Sequence, residues 1–217
     1  MEHICLLYTS KQVWKPGNMV YPVPAVLVSA ADGEGRTNLI TVAWTGTICT
    51  NPPMAYISVR PERYSYDMIR STGQFVINLT TEDMTYATDL CGVKSGRDLD
   101  KWQAAGLTPQ QASAVDVPLV AESPVNIECQ VVKVEELGSH HMFIAEVKAV
   151  DIDEKYLDEK GKFHLGKAKP IVYSHGEYYG LGALLGTFGY SVKKAPKNPT
   201  AGRKRRGKYG QKRNGAG

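Results

Sequence analysis

The stretch NLITVAWTGTICTNPPMAYISVRPERYSYDMIRSTGQFVIN, Asn38 to Asn78, sets out the fold in its order of elements. Asn38 to Cys49 and Met54 to Val59 are rich in Ile, Val, Thr, Tyr and Trp, residues that suit a pleated, half-buried surface. The Asn51, Pro52, Pro53 corner parts these two strands, since proline cannot donate to a ladder. The pattern then changes. Tyr64 to Thr72 reads as a short helix with Gly73 as its left-handed C-cap, and Gln74 to Leu79 returns to strand.

Upstream, Ala25 to Ser29 is a further strand between Pro22/Pro24 and the turn Asp32, Gly33, Glu34, Gly35, so the first three strands predict an antiparallel meander. Downstream, Thr80 with Asp83 is an N-cap signature for a helix through Leu90, and Ser95 with Asp98 for one ending at Gly106. Asn126 to Val134 and Met142 to Ile152 read as longer strands joined at Gly138 and Ser139. Ile171 to Tyr173 and Tyr178 to Tyr179 flank a turn at His175 and Gly176. Six or more strands with short inserted helices predict a mainly β fold, a barrel rather than a doubly wound α/β sheet.

The chain has 217 residues, 42% hydrophobic and 22% charged, which suits one globular core. Its net charge of +4 conceals two populations. Ten of the 26 Lys and Arg lie from Lys193 onward with no Asp or Glu among them, leaving 16 basic against 22 acidic residues in the body, a net −6. We therefore divide the chain into a domain at 1–192 and a basic tail at 193–217. The tail has almost nothing apolar to bury and is expected to be disordered. Its Arg203 to Arg206 cluster suits nucleic acid or an anionic membrane, or the tail serves solubility alone. The N-terminus has no apolar run long enough for a signal peptide or a membrane span, which points to a cytoplasmic protein. Cys5, Cys49, Cys91 and Cys129 are far apart without CxxC spacing, so reduced, mostly buried thiols are expected and no metal site.

Three local features suit a ligand made of a phosphate and a flat polar ring. In Ser58 to Ser65 a strand ends, Arg60 and Arg63 follow, and a helix begins at a hydroxyl residue. A helix N-terminus holds anions and arginines add charge-assisted hydrogen bonds, though Ser65 as a plain cap is the competing account. CGVKSGRD, Cys91 to Asp98, gathers glycines and cations between two helices without the Walker A spacing, and serves equally as a simple turn. Thr41 to Thr47 carries small residues around Trp44, which either walls a ring or fills the core.

Asn38 to Asn78 resembles the N-terminal half of the flavin-reductase-like family, which includes flavoredoxins and the reductase components of two-component monooxygenases. CGVKSGRDLDKW (Cys91 to Trp102), GSHHMFIAEVKAV (Gly138 to Val150) and PIVYSHGEYYGLG (Pro170 to Gly182) resemble later family segments in the same order. The related pyridoxamine-phosphate-oxidase-like barrel fits these motifs less well. The resemblance implies an FMN-binding split β-barrel, a homodimer, and an oxidoreductase that passes electrons from NAD(P)H or a protein donor through FMN. Flavoredoxin-type carriage without direct NAD(P)H use, and a non-redox binding protein with a nucleic-acid-binding tail, stay open beside it. By the same resemblance Ala43, Trp44, Thr45 and Thr47 line the flavin ring, and Ser58, Arg60, Tyr64 and Ser65 serve the ribityl chain and phosphate. Asn78, Lys94, Ser95 and Lys101 complete the pocket, and His140 is the catalytic histidine. The family's aspartate before that histidine is Ser139 here, and His141 adds a second imidazole.

Overall fold

Two residues, Ala43 and Trp44, determine how the sheet closes. The computed structural model describes residues 11–192, so Cys5 and the basic tail from Lys193 lie outside the described residues. The chain divides into a main unit ending at Gly182 and a second beginning at Ala183, whose described part holds a single 3-10 turn at Tyr190–Val192.

In chain order the main unit contains β1 (Val23–Pro24), β2 (Val26–Ala31), β3 (Thr37–Val42), β4 (Thr45–Thr50), β5 (Pro53–Val59), α1 (Tyr64–Thr72) and β6 (Gln74–Leu79). There follow α2 (Thr85–Val93), α3 (Lys101–Ala105), β7 (Pro109–Gln110), β8 (Leu119–Val120), β9 (Val125–Leu137), β10 (His140–Ile152), β11 (Ile171–Ser174) and β12 (Glu177–Gly180). Seven strands form one antiparallel sheet in the order β3-β2-β6-β9-β10-β5-β4. Laid flat, that sheet would be about 29 Å wide. Yet its two edge strands are joined by Ala43 and Trp44 alone, a span of at most about 11 Å. The sheet must therefore curl until its edges meet at this end. The Ser58 N–H donates to the Trp44 carbonyl at 2.8 Å and extends the β4–β5 ladder into the bend. Register shifts in the long β9–β10 pair and in β4–β5 supply bends that the curl requires.

The expected meander is corrected here. The run Asn38 to Cys49 is two strands, and β5 pairs with β4 and β10 rather than with β3. The cause is the turn at Ala43–Trp44, which carries the chain from one sheet edge to the other. The barrel itself stands as expected.

Val28, Ile40, Val42, Ile57, Val59, Phe75, Ile77 and Phe143 fill the barrel interior, and α1 covers it with Tyr66, Met68 and Ile69. Leu27 and Leu39 point the other way and pack under α2 and α3 against Met84, Cys91 and Trp102. Both faces of β2 are thus covered, which explains why all six of its residues are buried and no polar alternation shows. Gly73 caps α1 at φ 66°, as its position in the sequence predicts. The expected helix after Ser95 begins later, at Lys101. Residues 95–98 form a turn closed by the Asp98 N–H on the Ser95 carbonyl, and Asp100 supplies the cap by accepting from the Trp102 and Gln103 N–H groups.

Candidate functional site

A cavity of about 390 Å³ opens where the Ala43–Trp44 bend, the end of β5, the start of β10 and the β11–β12 hairpin converge. It brings together five of the residues expected from the sequence: Ala43, Trp44, Ser58, Arg60 and His140. Trp44 is half-buried and lies 6.1 Å from the Tyr21 ring, tilted by 51°. Tyr173 and Tyr178 from the closing hairpin complete an aromatic wall, while Arg60 and Arg63 make the cavity basic on the β5 side. The α2 backbone passes close to the floor, for a Cβ on Gly92 would stand 3.2 Å from the Thr41 Cβ.

Two side chains of this cavity are held neutral. Burial, with the Arg60 charge beside it, holds the His140 imidazole below the usual histidine range, so the ring is uncharged at pH 7. Its Nδ1 lies 3.0 Å from the Ser139 Oγ, so serine orients the ring where an aspartate would have charged it. The Tyr178 phenol donates to Asp89 Oδ1 at 3.3 Å, and burial, reinforced by that carboxylate, pushes it up to about 12. His141 points to the opposite face of β10 and pairs at 2.6 Å with the Tyr66 hydroxyl, which also accepts from Arg70. The guanidinium can only donate, so the Tyr66 oxygen accepts from Arg70 and shares one proton with His141 Nδ1.

A second cavity of about 360 Å³ adjoins the first and shares Ile40 and Arg63 with it. Here lie Tyr64, Ser65, Lys94, Ser95 and Lys101. The N-terminus of α1 opens into it, presenting backbone N–H groups and the positive end of the helix dipole. Ser65 is 1% exposed and accepts from Asn38 Nδ2 at 2.8 Å, which leaves its hydroxyl proton to give. Lys101 is 4% exposed and donates to the Leu39 carbonyl at 2.8 Å and the Cys91 carbonyl at 2.7 Å. Its third N–H has no partner among the described residues. Burial pushes this ammonium down to about 8, and Arg63 adds to the effect. A buried cation with a spare donor, a free hydroxyl and a helix N-terminus in one cavity fit a phosphate dianion.

Three expected residues stand elsewhere. Thr45 is buried with its hydroxyl donating to the Tyr56 carbonyl at 2.7 Å, and Thr47 is exposed on edge strand β4. Asn78 is fully buried; its amide donates to the Leu27 carbonyl at 3.0 Å and accepts from Val120 N–H at 3.0 Å and Asn126 Nδ2 at 2.7 Å, bracing β8 against the sheet. Tyr21, Asp89, Tyr173 and Tyr178 line the first cavity without having been singled out, because they come from separate segments and share no local pattern, whereas Thr41 belongs to the Thr41 to Thr47 stretch. Cys91 and Cys129 are buried, and burial pushes their thiols up to about 11 and about 12. Among the described residues no cluster of His, Cys, Asp or Glu suits a metal ion, and no helix is long and apolar enough to cross a membrane.

Residues 18–182 match the family model of the flavin reductase like domain. The chain belongs to the flavin reductase-like family. It is similar to the solved flavoredoxin of Desulfovibrio vulgaris (Miyazaki F), at 32% identity and a TM-score of 0.78 over 84% of this chain and 100% of that one. The flavoredoxin of Methanosarcina acetivorans matches at 27% identity and a TM-score of 0.76, over 85% and 100% of the two chains. Nitrilotriacetate monooxygenase component B of Bacillus cereus, at 22% identity and a TM-score of 0.71 over 77% and 88%, shows the shared fold alone. Among curated relatives, an uncharacterized protein of Aeropyrum pernix is 31% identical over 71% of this chain, and the match spans 58% of that protein's length. The family assignment agrees with the resemblance seen in the sequence and with the closed sheet. Flavin reductase-like proteins are split barrels of this kind, and the two cavities flank the seam of the barrel.

Proposed function

We propose that this flavin reductase-like protein binds FMN and passes electrons through it from a reduced donor to an acceptor. The observation that carries the reading is the pairing of cavities: one aromatic-walled and basic, the other a buried phosphate cradle, in contact through Ile40 and Arg63. When bound, the flavin supplies the redox chemistry, since it exchanges hydride or single electrons. The protein's part is binding and orientation. Lys101 and Ser65, with the α1 N-terminus, would hold the phosphate; Arg63, which lines both cavities, would add its charge there, and Thr41, Ala43 and Trp44 would line the space for the ring. His140, kept neutral and oriented by Ser139, offers the first cavity an uncharged imidazole. Tyr178 offers a phenol that keeps its proton at any physiological pH.

The donor is a nicotinamide in the reductase reading and a protein in the carrier reading. The similarity to two flavoredoxins favours the carrier, whereas a neutral histidine in the ring cavity suits hydride transfer. Mixing the FMN-loaded protein anaerobically with NADH or NADPH separates them: bleaching at catalytic rates identifies a reductase, and oxidised flavin that persists identifies a carrier. The protein works in the cytoplasm as a homodimer. Val132, Leu137 and Val150 on the β9–β10 pair and Ile48 on β4 are exposed apolar residues that a second copy would cover, and sedimentation of the purified protein tests the dimer.

A further inference from the structure

The family match ends at Gly182, and the flavoredoxin of Desulfovibrio vulgaris is covered over its whole length by 84% of this chain. The residues after Gly182 are therefore an addition to the family domain. We propose that this addition docks the protein on an anionic phospholipid surface: the apolar residues of 183–192 enter the headgroup boundary, and the Lys and Arg run that follows them holds the protein there. The proposal shares no residue with either cavity and stands apart from the flavin reading.

The apolar part is ALLGTFGYSV, Ala183 to Val192. Its backbone turns on itself, with the Tyr190 N–H donating to the Thr187 carbonyl at 2.9 Å and the Val192 N–H to the Gly189 carbonyl at 3.3 Å. The Tyr190 ring lies against Gly186, where a Cβ would stand 2.7 Å from Tyr190 Cδ1. Leu184, Leu185, Phe188 and Val192 are nonetheless 82% or more exposed, and none of them belongs to a core cluster. Single exposed apolar residues are ordinary, but four within nine positions form a patch that calls for a partner.

Charge decides which partner. The last acidic residue of the chain is Glu177, and ten Lys and Arg lie from Lys193 onward, with Lys193 and Lys194 directly after Val192. The body before them carries a net −6, so an anionic surface repels the body and attracts this end alone. Apolar insertion and a polybasic run are each weak anchors, and together they suffice for stable attachment. A nucleic acid would also attract the basic run, yet it offers no apolar phase for Leu184 and Leu185. Among the described residues no helix is long and apolar enough to cross a membrane, and two leucines with a phenylalanine suit shallow insertion.

The test is co-sedimentation of the full-length protein with vesicles of phosphatidylglycerol or of phosphatidylcholine, at physiological salt. Each basic residue near an anionic surface raises affinity about fivefold, so phosphatidylglycerol is expected to be preferred at least about 100-fold. The combined substitution Leu184→Ser, Leu185→Ser, Phe188→Ser is expected to weaken phosphatidylglycerol binding at least about tenfold. Replacing the basic cluster by Arg203→Gln, Lys204→Gln, Arg205→Gln and Arg206→Gln is expected to weaken it at least as much. An unchanged melting temperature reports that each variant is folded. Equal binding to the two vesicles, no binding to either, or phosphatidylglycerol binding indifferent to the serine substitutions overturns the proposal. So does tighter binding of a single-stranded RNA probe than of phosphatidylglycerol vesicles, which would assign the basic run to nucleic acid. Dissociation of a dimer by the serine substitutions, seen in sedimentation velocity, would assign the apolar patch to a second copy and equally overturn it.

Discussion

Lys101 ties the cofactor reading to a quantity that can be titrated. Its ammonium is nearly buried and held at about 8, so it is charged at pH 7 and mostly neutral above pH 9. A phosphate monoester has its second pKa near about 6 and stays a dianion across that range. The bound phosphate favours the charged lysine, so binding raises the Lys101 pKa and FMN affinity falls as pH climbs through about 8. If the phosphate lifts that pKa well above 9.5, linkage gives a loss of about 30-fold in affinity between about pH 7 and about pH 9.5. Riboflavin carries the same ring without the phosphate, so the ratio of the two affinities removes any titration of the ring itself. In Lys101→Met the FMN affinity at pH 7 drops about 10- to 100-fold through loss of a charge-assisted hydrogen bond, and the pH step vanishes. Fluorescence titration at several pH values measures both. An FMN-to-riboflavin ratio that is flat with pH in the wild type, or a step that persists in the methionine variant, refutes the assignment.

The same shift has an opposite face in the flavin-free protein. The unfolded chain binds the lysine proton up to the ordinary value of 10.5 while the folded one releases it near 8, so stability rises with pH across that window, by about 3 kcal/mol in all. The difference in denaturant midpoints between wild type and Lys101→Met, followed from pH 7 to about pH 10.5, should trace this rise. His140→Ala leaves FMN affinity within about threefold and slows reduction by a nicotinamide about 100-fold in stopped-flow mixing, as loss of a positioned histidine does. Gly96→Ala drives a Cβ into Asn38, breaks its bond to Ser65, and lowers both the melting temperature and FMN affinity, with a stability loss of about 1–3 kcal/mol. Glu128, fully buried, accepts from Ser113 N and Oγ at 2.8 and 2.7 Å and from the Ala114 and Val115 N–H groups at 2.6 and 2.9 Å. Glu128→Ala leaves these donors unpaired and should cost about 3 kcal/mol in chemical denaturation, while FMN affinity of the folded fraction is unchanged.

Local signals made α1 and β6 legible: the change of pattern at Tyr64, the glycine cap and the return to β-formers all lie within a few residues. The hairpin turns at Gly138 and Gly176 were legible for the same reason. The break at Ala43–Trp44 was not, because Asn38 to Cys49 is a continuous run of strand-formers and the bend is imposed by closure of the sheet. The site divides along the same line. Ser58, Arg60, Tyr64 and Ser65 sit at one strand-to-helix junction and could be read together, as could Lys94 and Ser95 in one loop. Thr45 and Asn78 lie in strands beside site residues, and only the structure shows which face each occupies. Tyr21, Asp89, Tyr173 and Tyr178 are gathered from across the chain by the closing β11–β12 hairpin, an arrangement no short window contains. Burial of Lys101 is likewise tertiary, since α2 and β3 supply the two carbonyls that it caps.

The most direct test of the account is the identity and stoichiometry of the flavin held by the full-length protein purified without added cofactor, then saturated with FMN. The account predicts a yellow protein whose released cofactor is a flavin bearing a 5′-phosphate, and saturation at one flavin per chain. A colourless protein that also fails to bind added FMN would contradict it.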